Sequence, residues 1–228
     1  MAYGVKTLQV LWMFLGKSLM SITLRLVDSH AKISSDINAA IANHMNVLLK
    51  KKINKIRDNI KKLVPGWILE QPEINSLMDE GVQGSLNAEF GLYPGASNSA
   101  VVAITNAVKE SVAIKIDPIY KNLQGGMTIS IQPNTFSNLL GLTQGYTATP
   151  EATLHWLDWL LIQGDRTIVV GYYYKPSKEG RGGAGTMELG GFWRVDPRYS
   201  GNISDNFITR ALSGREKDIS SVIDKAMK

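Results

Sequence analysis

Cysteine is absent from the 228 residues. That excludes disulfide staples, thiolate–zinc sites and cysteine nucleophiles, and leaves the redox compartment open. Histidine is scarce: His30, His44 and His155 are the three, and none falls in a metal-ligand spacing such as H-E-x-x-H. No G-x-S-x-G elbow is present. A charge-free apolar run is also missing. Thr7 to Val27 is the most apolar stretch, but Lys17 falls in its middle and Arg25 near its end, against the roughly 20 predominantly apolar residues of a membrane span. It carries no convincing small-residue cleavage site of a signal peptide. Apolar residues at 44% and charged residues at 20% exclude wholesale disorder and low-complexity chains.

The charge that is present is unevenly placed. Residues 1–66 hold 11 Lys/Arg against 3 Asp/Glu, and residues 67–228 hold 14 against 17, so the net +5 divides into +8 and −3. Such asymmetry favours docking to something acidic, whether nucleic acid, a membrane surface or a partner's acidic face. We therefore separate an N-terminal helical region, 1–66, from an α+β region, 67–228. No repeat and no long linker divides them, and they read as one continuous structural unit.

Within the first region Leu8, Leu11, Trp12, Leu15, Leu19, Ile22 and Leu26 recur at helical spacing, and Val10, Met13 and Phe14 make the other face apolar too. Such a helix needs burial on more than one side, in its own core or against a neighbouring subunit. Ile33 to Trp67 reads as a second, long helix with a stripe through Ile37, Ile41, Met45, Leu48, Ile53, Ile56, Ile60, Leu63 and Val64. At 100° per residue Lys50, Arg57 and Lys61 share one flank, and Lys51, Lys55 and Lys62 lie opposite the stripe. This face is either solvated or a contact to phosphates or an acidic partner. Pro65 and Gly66 are expected to end the helix.

Beyond it, 70–79 admits a short helix, and Ser85 to Gly91 alternates between glycines like a strand. Ala100 to Lys115 runs from helix into strand. Met127 to Gln132 alternates with Met127, Ile129 and Ile131 on one face. Leu154 to Leu161 reads as a short apolar helix closed by Gly164, with His155 among apolar neighbours. Arg166 to Tyr174 is rich in β-branched and aromatic residues, a strand. The glycine-rich run 180–185, flanked by Lys175, Lys178 and Arg181, lacks the lysine of a P-loop and a following helix, and reads as a basic hairpin tip. Phe192 to Val195 is a further strand. Ser204 is a candidate N-cap for a helix to Leu212, and Asp218 to Met227 is a terminal amphipathic helix. The expected class is α+β: N-terminal helices, one of them long and basic, a mostly antiparallel sheet, and a C-terminal helix.

Chemistry is sparse. Asp158 and Asp165 would form a carboxylate pair only if the tertiary structure brought them together. No nucleophile, base and orienter occur in a recognisable pattern, so neither catalytic residues, nor a metal, nor a cofactor is expected. The basic helix at 50–62 lacks interleaved aromatics, against sequence-specific nucleic-acid recognition and open to non-specific backbone contact.

One succession is distinctive. Trp156-Leu-Asp-Trp-Leu-Leu-Ile-Gln-Gly-Asp-Arg-Thr-Ile168 precedes a strand and the glycine-rich loop. Gly190-Gly-Phe-Trp-Arg-Val-Asp-Pro197, Tyr199-Ser-Gly201 and Asp205-Asn-Phe-Ile-Thr-Arg-Ala-Leu212 follow. Over about 154–212, and more weakly over 47–92, this resembles virion proteins at the head–tail junction of tailed double-stranded DNA bacteriophages, the neck or tail-completion family. Residues 1–45 have no counterpart in it. The resemblance implies a structural protein rather than an enzyme. It would be made in the bacterial host cytoplasm and reside in the virion. It would assemble with itself as a ring, commonly six-fold, between the head-side adaptor and the tail terminator or tube. A central channel would pass genomic DNA without sequence-specific contact, and no small-molecule substrate is implied. Interface residues expected on this reading are Leu8, Leu11, Trp12, Leu15 and Leu19, the lysines Lys51, Lys55 and Lys62, Lys178 and Arg181 of the hairpin, and Phe207 and Arg210 of the late helix. The alternative is a partner-binding or membrane-peripheral protein that uses its apolar N-terminal helix.

Overall fold

A computed structural model describes residues 27–148 and 153–228. The apolar segment from Thr7, with Leu8, Leu11, Trp12, Leu15 and Leu19, lies outside the described residues. The described chain is α+β, as its patterning predicts, with its strands distributed over three two-stranded sheets.

Helix α1 spans His30–Leu69. The described residues divide into two compact units: 27–50 with 116–126, and 51–115 with 127–148 and 153–228. The first part of α1 thus belongs to one unit and the second to the other, and its stripe changes character accordingly. Ile56, Ile60 and Val64 are fully buried, whereas Ile37 and Ile41 are 54% and 44% exposed. The long apolar stripe read from the sequence is a core stripe only in its second half. In the first unit Asn46 clamps the 117–125 loop through both its amide atoms. Its Nδ2 donates to the Ile119 carbonyl at 2.8 Å, and its Oδ1 accepts from the Ile119 N–H at 2.8 Å.

Pro65 does not end α1, contrary to expectation. The helix continues through it to Leu69. A proline inside a helix costs about 3 kcal/mol. The extra turn buries Trp67 and Ile68 at 4% and 0% exposure, and burial of each such side chain returns roughly 1.5–3 kcal/mol, enough to carry the helix onward.

The second unit is built on that turn. Helix α2, Pro72–Met78, starts with proline at its first position and buries Ile74 and Leu77. Helix α3 is the short turn Leu86–Glu89, and it corrects the strand expected over Ser85–Gly91. Ser85 caps it, its Oγ accepting from the Ala88 N–H at 3.2 Å. Leu86, Asn87 and Ala88 are buried in succession, which no alternating strand allows. Helix α4, Ala96–Glu110, leads into strand β1, Ala113–Asp117, which pairs with β2, Gly126–Ser130. Helix α5, Ser137–Leu140, and a 3-10 turn at Thr143–Gly145 precede β3, Tyr146–Ala148.

Strand β4, Thr153–His155, pairs antiparallel with β3 and opposes Tyr146 to His155. The apolar helix expected from Leu154 is therefore shorter: α6 covers Leu157–Leu161. Strands β5, Val169–Pro176, and β6, Gly185–Trp193, form an antiparallel ribbon closed by the glycine-rich tip. Its register shifts between Val170 and Tyr172. Phe192 and Trp193 end β6 rather than starting a further strand. Helix α7 is Phe207–Leu212 and α8 is Glu216–Met227. The N-cap of α7 is Asn206, not Ser204. Asn206 Oδ1 accepts from the Ile208 and Thr209 N–H groups, while Thr209 Oγ1 accepts from the Asn206 N–H. The core of this unit gathers Ile56, Ile60, Val64, Leu86, Phe90, Ile104, Trp156, Leu160, Phe207 and their neighbours. Phe90 sits at its aromatic centre, 5.4 Å from Trp156 and edge-on to Trp193 at 6.2 Å.

Candidate functional site

The residues singled out in the sequence are not brought together. Lys51, Lys55 and Lys62 stand exposed on α1, and no carboxylate pairs with them among the described residues. Lys178 is exposed near the hairpin tip. Phe207 is fully buried in its own core, which removes it from any surface role. Arg210 forms an ion pair with the buried Glu73 carboxylate and a second with Asp205. It ties α7 to α2. Burial pushes the Glu73 carboxyl up, against the opposing pull of Arg210. Asp158 and Asp165 are separated in role: Asp158 Oδ1 lies 2.8 Å from His155 Nδ1, and Asp165 Oδ2 lies 3.7 Å from the Arg194 guanidinium. His155 stacks on Tyr146 at 4.0 Å, at the end of β4 rather than on a helix.

The glycine-rich hairpin tip does bear on a site. Arg181 lies over the Tyr93 ring at 4.8 Å and donates to the Ala148 carbonyl at 2.9 Å. The tip is thus fastened across the second unit instead of standing free. Glycine is required there. A Cβ at Gly180 would overlap the Gly185 carbonyl, and one at Gly185 would overlap the Tyr174 ring. Gly180 also has φ +90°. Tyr174 locks the ribbon beneath: its hydroxyl donates to the Ala184 carbonyl at 2.9 Å and accepts from the Gly84 N–H at 3.1 Å.

Under this strap lies a cavity of about 340 Å³. Its walls come from α3 and the residues after it (Glu89, Phe90), from β3 and β4 (Thr147, Leu154), and from the ribbon (Met187, Trp193). Three of these wall residues carry buried polar atoms without any hydrogen-bond partner: Glu89 Oε2, Thr147 Oγ1 and Trp193 Nε1. Buried polar groups are almost always satisfied, and each unsatisfied one costs roughly 1–3 kcal/mol. These atoms are buried behind the cavity wall, and the same deficit recurs away from it at Glu73 Oε2, His155 Nε2, Trp156 Nε1 and Trp159 Nε1.

Burial, reinforced by Asp196 and opposed by Arg198, pushes the Glu89 carboxyl up to about 7. Asp196 itself is held below the usual carboxylate range by Arg198, whose guanidinium lies 2.7 Å away. Glu89 therefore exchanges its proton near neutral pH, as an acid–base residue would. Among the described residues lining the cavity it is the one carboxylate, and no histidine accompanies it. A two-carboxylate or carboxylate–histidine arrangement is not assembled there. Among the described residues no group of three or more His, Asp or Glu is placed to hold a metal ion, and no helix is long and apolar enough to cross a membrane.

Sequence reasoning passed over all three cavity residues. Thr147 and Trp193 look like ordinary strand residues. Glu89 offered one signal, a carboxylate set between Ala88 and Phe90 in an otherwise apolar segment. No protein-family model, no curated protein and no solved structure matches the chain.

Proposed function

We propose that the chain is a structural virion protein of the bacteriophage head–tail connector, working as a ring of identical subunits between the head-side adaptor and the tail. The reading starts from the resemblance over about 154–212. It is supported by the β5–β6 ribbon, which leaves apolar cross-strand pairs in solvent. Val170 is 81% exposed opposite Phe192 at 56%, and Leu189 is 78% exposed opposite Tyr172 at 36%. Large apolar side chains paired on an exposed ribbon mark an interaction surface. The other unit carries its own exposed apolar residues, Ile37, Ile41 and Val47 on α1. A head-to-tail ring requires two different patches on each subunit, because heterologous contacts join unlike surfaces. The lysines Lys51, Lys55 and Lys62 supply a basic face for the mildly acidic 67–228 region of a neighbour.

The test is the mass of the purified full chain in solution, followed by electron microscopy of the particle. A defined ring, and density for the chain between head and tail, are expected. A stable monomer absent from purified particles overturns the reading. Reversal of Lys51, Lys55 and Lys62 to Glu tests the electrostatic part. Heads are expected to accumulate without tails, and particles that join normally remove the lysines from the contact.

A further inference from the structure

The exposed side of the first half of α1 repeats with a coiled-coil rhythm. Ile33, Ile37, Ala40, His44 and Val47 follow one another at alternating steps of four and three, so they share one seam. Ile37, Ala40, His44 and Val47 are exposed, Val47 to 67%, and Ile33 is half-buried. The opposite side of the same stretch is covered, with Ala42 and Leu49 buried. A largely apolar seam of this length left in solvent calls for an occupant.

The chain supplies one. Residues 8–26 lie outside the described residues, and their sequence carries the matching rhythm: Leu8, Trp12, Leu15, Leu19, Ile22 and Leu26. Three residues, 27–29, separate them from α1, a usual length for the turn of an antiparallel helix pair. Ser29 starts α1 afresh: its Oγ accepts from the Lys32 N–H at 3.2 Å, and Asp28 pairs with Lys32 at 2.8 Å. Folding back about this turn sets Leu26 against Ile33, Ile22 against Ile37, Leu19 against Ala40, Leu15 against His44 and Trp12 against Val47, all in one register. The same register puts Arg25 beside Asp36, opposite charges, and Gly16 beside the exposed Ile41. Lys17 falls on the outer side, away from the seam. A helix over 8–26 would be about 28 Å long, against about 30 Å for residues 30–50 of α1.

We propose that residues 8–26 fold back on α1 of their own chain as an antiparallel helical hairpin, seated on Ile33, Ile37, Ala40, His44 and Val47. This goes beyond the connector reading and does not rest on it. The hairpin covers the seam of α1 and leaves Val10, Met13, Phe14 and Met20 on its outer side. The apolar surface that this unit offers a neighbour then moves there from α1.

Because the chain has no cysteine, every disulfide in the test is an introduced one. In the full chain, I22C/I37C and L19C/A40C each join positions across the seam. The control, I22C/S35C, spans nearly the same length of chain, with Ser35 on the opposite side of α1. Oxidation is followed on non-reducing gels, and circular dichroism of the reduced variants checks that they are folded. Both seam pairs are expected to close within one chain, about tenfold or more faster than the control. R25D is expected to slow closure of I22C/I37C roughly two- to fivefold, and D36R added to it to restore the rate. Seam pairs that close no faster than the control, or that do not close, overturn the proposal. Disulfides formed between chains place the segment on a second copy and overturn it as well. An R25D effect that D36R leaves unchanged separates the two charges and overturns the register, and the proposal with it.

Discussion

Replacing Glu89 by glutamine should change how the protein's stability depends on pH. In the folded chain the carboxyl is pushed up from 4.5 to about 7. The unfolded chain ionises near the ordinary value. Between about pH 4.5 and 7 the folded state therefore holds a proton that the unfolded state has lost, and stability falls as pH rises. Each pKa unit is worth about 1.4 kcal/mol, so the shift corresponds to about 3 kcal/mol across that window. The stabilising contribution is fully present below about pH 4.5 and is lost once the pH passes about 7. The glutamine side chain is close to the protonated acid in shape and carries no charge to bury. E89Q and the parent should match at pH 4.5, and E89Q should be more stable by about 3 kcal/mol at pH 8. Urea unfolding followed by tryptophan fluorescence measures this as the difference between the two proteins. That difference cancels the opposite titrations of Glu110 and Glu188, each held below the usual carboxylate range by its Lys partner and neither acting on Glu89. A difference that stays constant within about 0.5 kcal/mol from pH 4.5 to 8 would refute the assignment of Glu89 as a desolvated carboxyl. A difference of opposite sign would show that Arg198, not burial, governs it.

Other substitutions probe the rest of the structure. Ile60→Ala, at a fully buried position of α1, should cost about 3 kcal/mol, while Ile41→Ala on the exposed part of the same helix should stay within about 0.5 kcal/mol in denaturant unfolding. Asn206→Ala removes the cap of α7 together with bonds to the Leu161 and Asn202 carbonyls. It should cost about 2 kcal/mol, and Ser204→Ala should cost under about 0.5 kcal/mol, which thermal unfolding distinguishes as two separated midpoints. Gly180→Ala forces a side chain into the Gly185 carbonyl at a positive φ, and should cost about 2 kcal/mol or more and release the strap, read as loss of amide-exchange protection at Gly84, whose N–H bonds Tyr174.

The elements that were legible beforehand share a physical property: their burial is one-sided over many residues. The second half of α1, α4 and α8 all repeat their apolar positions often enough for one period to win, while β5 was legible from its β-branched and aromatic residues and not from burial. Ser85–Gly91 has too few residues to separate period 2 from 3.6, and the decisive force there is a cap, Ser85 Oγ to the Ala88 N–H, rather than a pattern. Pro65 misled for a different reason. A local rule predicts a helix end, but the core contacts of Trp67 and Ile68 lie one turn further on and outweigh it. The stripe through Ile37 and Ile41 shows the converse error, since periodicity reports that a face is apolar and not that anything in the chain covers it. The cavity fails to show in the sequence for a stronger reason. Glu89, Thr147 and Trp193 stand in three segments separated by 58 and 46 positions, and each alone is ordinary. What they share with Glu73, His155, Trp156 and Trp159 is a deficit, the hydrogen bond that one polar atom of each does not find once the chain has folded. A deficit of that kind is a property of the closed structure, and no periodicity or spacing encodes it. A core threonine or tryptophan selected only for packing could be exchanged for valine or phenylalanine at little cost, or at a gain, because the orphaned polar atom would go with it. T147V and W193F should each match or exceed the parent's stability in urea unfolding, and a loss of more than about 1 kcal/mol in either would show that its polar atom is satisfied in the folded chain.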